Sequence, residues 1–276
     1  MKKILFPTDF SKAANNAFVF ALEFAKILKG EIVLLHTFEL PIVDNQYFPE
    51  NYQVIYDSLE LSQFERFKDE IPKLRAIADE LGLQGIKLSH KLMDGSLVYN
   101  MKDCVKSENI DFVVMGTAGA TGWTEVFVGT NTGEVINTIG VPVLCVPEDA
   151  AYTKIETIGF TTRFREKDKE ALNKVLKIAH KTNALVKCLY VKTSQSDVSE
   201  DTIAMWEKDY EHENIQFFVV PSDNVKQSIE EFVDHQEIDI LAMMTYKHNF
   251  FVDLFTTSLA EKLSYISEVP ILSLHE

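Results

Sequence analysis

Basic residues are in short supply: 27 lysines and arginines face 42 aspartates and glutamates, for a net charge of −15 over 276 residues. A surface of that sign repels phosphate backbones and anionic lipid, which excludes nucleic acid and membrane surfaces as partners. A small phosphate ligand is not excluded, because it answers to local groups. Cysteine is scarcer still. Cys104, Cys145 and Cys188 show no CxxC spacing and sit in or beside apolar segments, which predicts buried thiols in a reducing compartment. No apolar run approaches the ~20 residues a membrane-spanning helix needs. Met1-Lys2-Lys3, a short apolar run, then Pro7 and Asp9 do not read as a secretory signal, so a cytoplasmic location is expected. Several signatures are missing as well: the G-x4-G-K-[ST] run, G-x-G-x-x-G after the first strand, an H-x3-H pair or Cys/His cluster, and the G-x-S-x-G elbow. Their absence sets aside P-loop chemistry, a dinucleotide fingerprint, structural zinc and a serine nucleophile.

Glycine is also sparse, with 11 in the chain, yet Gly116, Gly119, Gly122 and Gly129 fall within one stretch, Met115 to Asn131. The buried-strand run Phe112-Val113-Val114-Met115 precedes it, and Thr132 to Ile139 reads as the start of a helix. A strand, a glycine-rich loop and a helix start form a natural anion site: glycine admits a close backbone approach, and free N–H groups are left to donate. The bland alternative is a connector in which glycine only permits turns.

In chain order the pattern alternates. Strands are expected at Lys3–Thr8, Glu31–Thr37, Ile86–Leu92, Phe112–Met115 and Val141–Val146, with helices at Ala13–Leu28, Leu59–Leu81, Ser96–Ser107 and from Thr132. Asp9 or Ser11 is placed to cap the first helix, and Pro72 predicts a break or kink in the second. The alternation means an α/β fold with a mainly parallel sheet. Glu148 to Ala151 reads as a linker between residues 1–148 and 152–276, and beyond it the pattern starts again. Ile4 to Phe10 is echoed by Ile158 to Phe164, Asn109 to Met115 by Glu237 to Met243, and Val141 to Leu144 by Val269 to Leu272. The last two matches share one offset, which points to a tandem duplication. Under it Gly116, Gly119 and Gly129 become Met244, Lys247 and Thr257, while the first match sets Asp9 against Arg163. The second half reads as a degenerate repeat that has lost the glycine loop.

The run Gly116-x2-Gly119-x9-Gly129-Thr130 resembles the nucleotide loop G-x2-G-x9-G-[ST] of the universal stress protein family. The opening Lys2 to Ser11 is similar to that family's first strand and aspartate, and Val141 to Leu144 resembles its last strand. The match spans the first half and, more weakly, the second. The resemblance implies two tandem open, doubly wound parallel five-stranded sheets of strand order 3-2-1-4-5, with helices on both faces. In such sheets ligands bind beyond the carboxyl ends of the strands where the order reverses. It further implies an adenine nucleotide (ATP, ADP or AMP, with magnesium accompanying ATP). Asp9 would contact the nucleoside, the Thr37 backbone the adenine edge, and Met115 and Gly116 the ribose side. Gly119, Gly129, Thr130 and Asn131 would hold the phosphates. Without the resemblance, Asp9 reads equally as a helix cap and Thr130 as an N-cap.

Many relatives carry lysine or arginine in this loop, whereas Gly116 to Asn131 holds neither and has Glu125. AMP, ADP or adenosine is therefore expected to bind as well as ATP unless a metal compensates. The resemblance also implies pairing through last strands, so Val141–Val146 and Ile271–Leu274 are expected to join the halves as an internal pseudo-dimer, with a homodimer as a further possibility. Regulation by nucleotide occupancy is the leading function; a slow metal-dependent ATPase and a ligand-free scaffold are the alternatives. His36 reads as a satisfied buried histidine or a ligand-facing one. His212, among acids, reads as part of a solvated face, and Asp94-Gly95-Ser96 as a turn and cap on the binding side. Lys247-His248 is a partner surface or a solvated turn. The aromatic-rich segment from Tyr47 to Tyr56 is a lid over the ligand, or a surface that packs between the halves or against another chain.

Overall fold

The computed structural model describes residues 1–39, 52–117, 130–245 and 269–275. In chain order the elements are β1 (Lys2–Pro7), α1 (Lys12–Leu28), β2 (Gly30–Phe38), α2 (Tyr52–Glu80), β3 (Leu88–Asp94), α3 (Leu97–Ser107), β4 (Phe112–Gly116), α4 (Thr130–Thr138) and β5 (Val143–Val146). The second half continues with β6 (Thr157–Thr161), α5 (Glu166–Thr182), β7 (Leu185–Lys192), α6 (Glu200–Asp209), β8 (Ile215–Pro221), α7 (Val225–His235), β9 (Ile240–Met244) and β10 (Ile271–Leu274).

The strands form one sheet of ten in the order β3-β2-β1-β4-β5-β10-β9-β6-β7-β8. Each half reads 3-2-1-4-5 from its outer edge inward. Every pairing is parallel except the central one, where β5 and β10 run antiparallel with Leu144 opposite Leu272. The expected pair of five-stranded sheets is thus continuous. Pro142 does not mark an outer edge: it precedes β5, and its carbonyl accepts from Val113 N–H at 2.8 Å, as Pro270 accepts from Leu241 at 3.0 Å.

Helices cover both faces, and the strands are apolar on both sides for that reason. On one face Phe6, Phe18, Leu34, Val114, Leu172 and Trp206 belong to one core that draws on α1, α2, α5 and α6. On the other, Leu5, Val113, Met101, Val135, Ile229 and Phe232 belong to a core under α3, α4 and α7. The α1 face toward the sheet is mostly small, with Ala13, Ala14, Ala17, Ala21 and Ala25 all buried. Ser11, not Asp9, is its N-cap, accepting from Ala14 N–H at 3.2 Å. Lys29 ends it at φ 54°, and Gly30 opens β2 where a methyl group would lie 2.6 Å from the Lys2 carbonyl oxygen. Asn16 on α1 ties down the expected linker, donating to the carbonyls of Pro147, Glu148 and Ala150 at 3.2, 3.1 and 2.7 Å.

Of the break or kink expected at Pro72, the break is not there: α2 continues through it. Proline removes one helical donor and crowds the preceding turn, but the buried anchors Phe67, Leu74 and Ala78 hold the helix to the sheet on both sides of it. All three thiols are free and buried. Burial alone pushes the Cys145 thiol up to about 12, so it is a packing group rather than a nucleophile.

Candidate functional site

The reversal of strand order in the first half falls at β1, between β2 and β4. Asp9, Thr37 and Gly116 all stand at the carboxyl ends of these strands. β1 ends at Pro7 opposite Leu35 of β2, so Asp9 and Thr37 each lie two residues past that paired row. Gly116 closes β4 opposite Val146. There it meets the opening turn of α1: a methyl group on Gly116 would come 3.2 Å from the Ala13 carbonyl oxygen and 3.5 Å from Ala14 N. A side chain at this position would wedge β4 away from α1, so the residue must be small to keep the corner closed. Met115 is buried, with its side chain in the core beneath the edge and its backbone in the β4–β5 ladder opposite Cys145.

The turn after β1 is built by Thr8 together with Asp9, and Thr8 was not singled out from the sequence. Thr8 is buried; its N–H donates to the Leu35 carbonyl at 2.9 Å and its Oγ1 accepts from Phe10 N–H at 3.0 Å. Phe10 takes φ 63°, a left-handed conformation rare outside glycine. The Asp9 carboxylate accepts from Ser11 N–H at 3.0 Å, closing the same turn, and is half-buried. Only the adjacency of threonine and aspartate after an apolar strand could have signalled this arrangement, and that pattern is common in caps.

His36 is the satisfied buried histidine of the two readings. Its Nδ1 lies 2.7 Å from the Thr8 carbonyl oxygen, which can only accept, so Nδ1 carries the proton. Burial pushes its pKa down from 6.5, the Thr8 bond opposes this, and Arg66 on α2 adds to the lowering. The neutral ring sits in an aromatic wall with Phe10, Phe67 and His90, at ring separations of 4.9, 6.1 and 6.4 Å along the row. Arg66 therefore brings to this wall a positive charge that the loop does not carry.

Gly119 and Gly129 lie outside the described residues. Thr130 and Asn131 open α4 as its first two residues, and their side chains lie outside the description. The aromatic segment is likewise outside it, save that Tyr52 begins α2; so are Lys247 and His248. The Asp94-Gly95-Ser96 turn is present, with Gly95 at φ 102° and Ser96 at the N-cap of α3, but the serine hydroxyl makes no capping bond. Asn100 holds the turn instead, donating to the Asp94 and Gly95 carbonyls at 3.0 and 3.3 Å. His212 is exposed beside Glu211, a solvated pair. Among the described residues no group of three or more acidic, histidine or cysteine side chains is placed to hold a metal, and no helix is long and apolar enough to cross a membrane.

The second half repeats the turn with different side chains. Thr162 donates to the Leu189 carbonyl at 2.9 Å through its N–H and accepts from Phe164 N–H at 2.8 Å, and Phe164 takes φ 54°. Here the closing carboxylate is Asp168, fully buried in the first turn of α5. It accepts from Thr162 Oγ1 at 3.0 Å and from the N–H groups of Arg163 and Arg165 at 2.8 and 3.1 Å.

Residues 1–147 match the Universal stress protein family. Universal stress protein MJ0577 of Methanocaldococcus jannaschii is 30% identical over 152 residues, covering 52% of this chain and 94% of that protein. Over the whole length the fold is similar to a universal stress protein from Archaeoglobus fulgidus, with a TM-score of 0.72 at 17% identity over 99% of this chain and 96% of the other. A putative universal stress protein from Pseudomonas aeruginosa gives 0.65 at 11% identity over 100% and 93%. With the family match spanning more than half of its 276 residues, and the strand order to go with it, this chain belongs to the universal stress protein family.

Proposed function

We propose that the first half binds an adenine nucleotide at the carboxyl edge of β1 and β4, and that occupancy serves regulation in a stress response rather than catalysis. The observation that carries this is Gly116. It ends β4 pressed against the start of α1, at the reversal of strand order, and opens the glycine-rich run that leads into α4. A helix start behind such a loop offers backbone donors to phosphate, while the Asp9 carboxylate at the neighbouring strand end suits a ribose diol. Thr37 and Met115 contribute main-chain contacts, and Gly119, Gly129, Thr130 and Asn131 hold the phosphates. The loop lacks a basic side chain, so AMP and ADP bind as well as ATP unless magnesium accompanies the triphosphate.

Residues 1–148 and 152–276 are tandem copies in this reading, supported by left-handed residues recurring at Phe10 and Phe164, Lys29 and Asn183, Asn109 and Glu237. The antiparallel β5–β10 seam supports one chain serving as its own dimer. Its acidic charge and buried free thiols fit the cytoplasm.

The test is mass spectrometry of nucleotide released from protein purified without added ligand, followed by calorimetric titration of AMP, ADP and ATP with and without magnesium. Bound adenine nucleotide, lost in Asp9→Ala and Gly119→Val, is expected. Protein that ignores every nucleotide refutes the reading, and metal-dependent phosphate release abolished by Asp9→Ala replaces it with hydrolysis.

A further inference from the structure

The outermost strand of the second half is open. β8 lies three positions beyond β9 in the sheet, and residues 130–245 around it are described without a gap. Toward β7 it is bonded along its length: Val186 N–H donates to the Asn214 carbonyl at 2.9 Å and Ser222 N–H to the Lys192 carbonyl at 3.0 Å, with an unbroken register between them. In a parallel ladder alternate residues bond to one neighbour. Asn214, Gln216, Phe218, Val220 and Ser222 therefore face β7, while Phe217 and Val219 turn N–H and C=O outward. Among the described residues nothing bonds these four groups. Ile215 N–H turns back to the Glu213 carbonyl at 2.9 Å, and Pro221 has no N–H to offer.

An open edge is a template for another strand unless charge or cover blunts it. The opposite edge is blunted: β3 carries His90, Lys91 and Asp94, and its helix α2 is 29 residues long. β8 reads IQFFVVP, with no charge and only the proline at its end; its helix α6 has 10 residues, and Val219 is 41% exposed.

The occupant is set by charge. Tyr210 at the end of α6 meets Phe217 of β8 at a ring separation of 6.4 Å, so the helix stands over this strand. Asp209 reaches inward to Lys169 of α5 at 2.8 Å. At 3.6 residues per turn Glu200 and Glu207 fall on the opposite flank, above the open edge. Glu211 follows in the connection to β8. With Asp209 set against Lys169 and Glu213 against His180, the acids Glu200, Asp201, Glu207 and Glu211 still outnumber Lys192 and Lys208. A second copy of the chain paired antiparallel through β8 would bring its own α6 to the same face, acid against acid.

We propose that the β8 edge is a strand-addition site for an extended segment of another protein in which lysine or arginine alternates with apolar residues. Alternate side chains of an added strand lie on opposite faces. On the α6 face, basic residues lay their stems along Val219 and carry their charges to the glutamates. On the other face, apolar residues extend the surface of Phe218, which meets Phe232 of α7 at 5.4 Å. Main-chain bonds to Phe217 and Val219 supply affinity, and the alternation supplies specificity. The site stands whether or not the first half binds nucleotide.

The experiment follows fluorescence anisotropy of an acetylated, amidated heptapeptide alternating lysine and valine as the full chain is added. Binding is expected, and it weakens as salt rises. Peptides alternating glutamate with valine, or lysine with glycine, are expected to bind about tenfold more weakly or worse. Val219→Pro leaves every charge in place and suits the outer side of an edge strand; losing one main-chain donor, it should weaken the peptide by about tenfold. Val219→Lys serves if Val219→Pro fails to fold by circular dichroism. Glu200→Lys with Glu207→Lys should abolish binding, and Asp9→Ala should leave it unchanged. The proposal is overturned if the peptide does not bind at millimolar concentration, if the lysine–glycine peptide binds equally well, or if binding survives substitution of Val219. It is overturned too if Asp9→Ala abolishes binding, or if sedimentation shows the free chain dimerising through an edge that Val219→Pro blocks, which gives the strand to a second copy.

Discussion

Replacing Asp168 with alanine removes the acceptor of three hydrogen bonds at once: from the Thr162 hydroxyl and from the backbone N–H groups of Arg163 and Arg165. Asp168 is fully buried and Thr162 nearly so, so water cannot restore these bonds without opening the start of α5. Each buried donor left unmet costs about 1–3 kcal/mol. The two backbone groups are only partly buried, so the sum is discounted to about 3–5 kcal/mol, the range for breaking a buried polar network. Asp9→Ala is the internal control. In the first half the aspartate accepts from Ser11 N–H and is half-buried, so its loss costs about 1 kcal/mol, as for a helix cap. Urea denaturation followed by circular dichroism at neutral pH should separate the two by about 2 kcal/mol or more, with Asp168→Asn between them because its amide oxygen still accepts. If Asp168→Ala unfolds within 1 kcal/mol of the parent (about 1 kcal/mol being the worth of an ordinary hydrogen bond), or no lower than Asp9→Ala, the carboxylate does not hold the turn and the reasoning fails.

Gly30→Ala places a methyl group 2.6 Å from the Lys2 carbonyl oxygen, backbone against backbone in the β1–β2 ladder. It should cost about 1–3 kcal/mol in urea denaturation, whereas Gly85→Ala, with nothing within 4 Å, should cost little; equal effects would refute the close approach. Burial depresses the His36 pKa below 6.5, against the raising influence of the Thr8 bond and Asp9. Its stabilising contribution is therefore complete above that value and lost as pH falls through the lower folded pKa. Stability should fall between neutral pH and pH ~5 by up to about 1.4 kcal/mol per pH unit for each such group. His36→Gln should flatten the slope, leaving the share of His90 and His275, which burial shifts the same way. An unchanged slope would show that folding does not lower the His36 pKa and would refute the reasoning.

The alternation of strands and helices was legible because the inner strands are apolar on both faces, the outer strand β3 alternates, and helices are apolar on one face. Most boundaries shifted by a few residues, but α2 begins at Tyr52 rather than Leu59, inside the aromatic-rich segment. The strand order and the edge where Asp9, Thr37 and Gly116 stand followed from the family resemblance together with the rule that ligands sit where order reverses. What stayed hidden was non-local. The helix through Pro72 depends on anchors that bury only against a sheet formed elsewhere in the chain. Asp168 sits in the run Glu166-Lys167-Asp168-Lys169-Glu170, which reads as a solvated helix start; its burial comes from the turn at Thr162 folding over it. The β5–β10 seam was inferred from resemblance, but its consequence, a single ten-stranded sheet with only β3 and β8 as outer strands, needed the register itself.

That antiparallel seam also decides how the two halves can communicate. β4 runs parallel to β5 and β9 parallel to β10, while β5 and β10 oppose each other, so the carboxyl ends of β4 and β9 lie on opposite edges of the sheet. Three strand spacings of about 4.8 Å and a strand length of about 15 Å put Gly116 and Met244 roughly 20 Å apart. No small ligand spans that distance, so the halves act on each other through the sheet and the helix-covered core they share, in which α1 and α5 meet. The turns that build the two edges are the same in backbone, with Thr8 and Thr162, Phe10 and Phe164 in matching roles. The chemistry of the two edges differs above a matching frame. Asp168, which stands after β6 where Ala14 stands after β1, closes the second turn, so position 163 needs no carboxylate. An arginine there then costs the fold nothing that Asp168 does not already supply. The first half, with alanine at position 14, still depends on Asp9 for the same turn, so the residue that would meet a nucleoside is also one that shapes the edge it stands on.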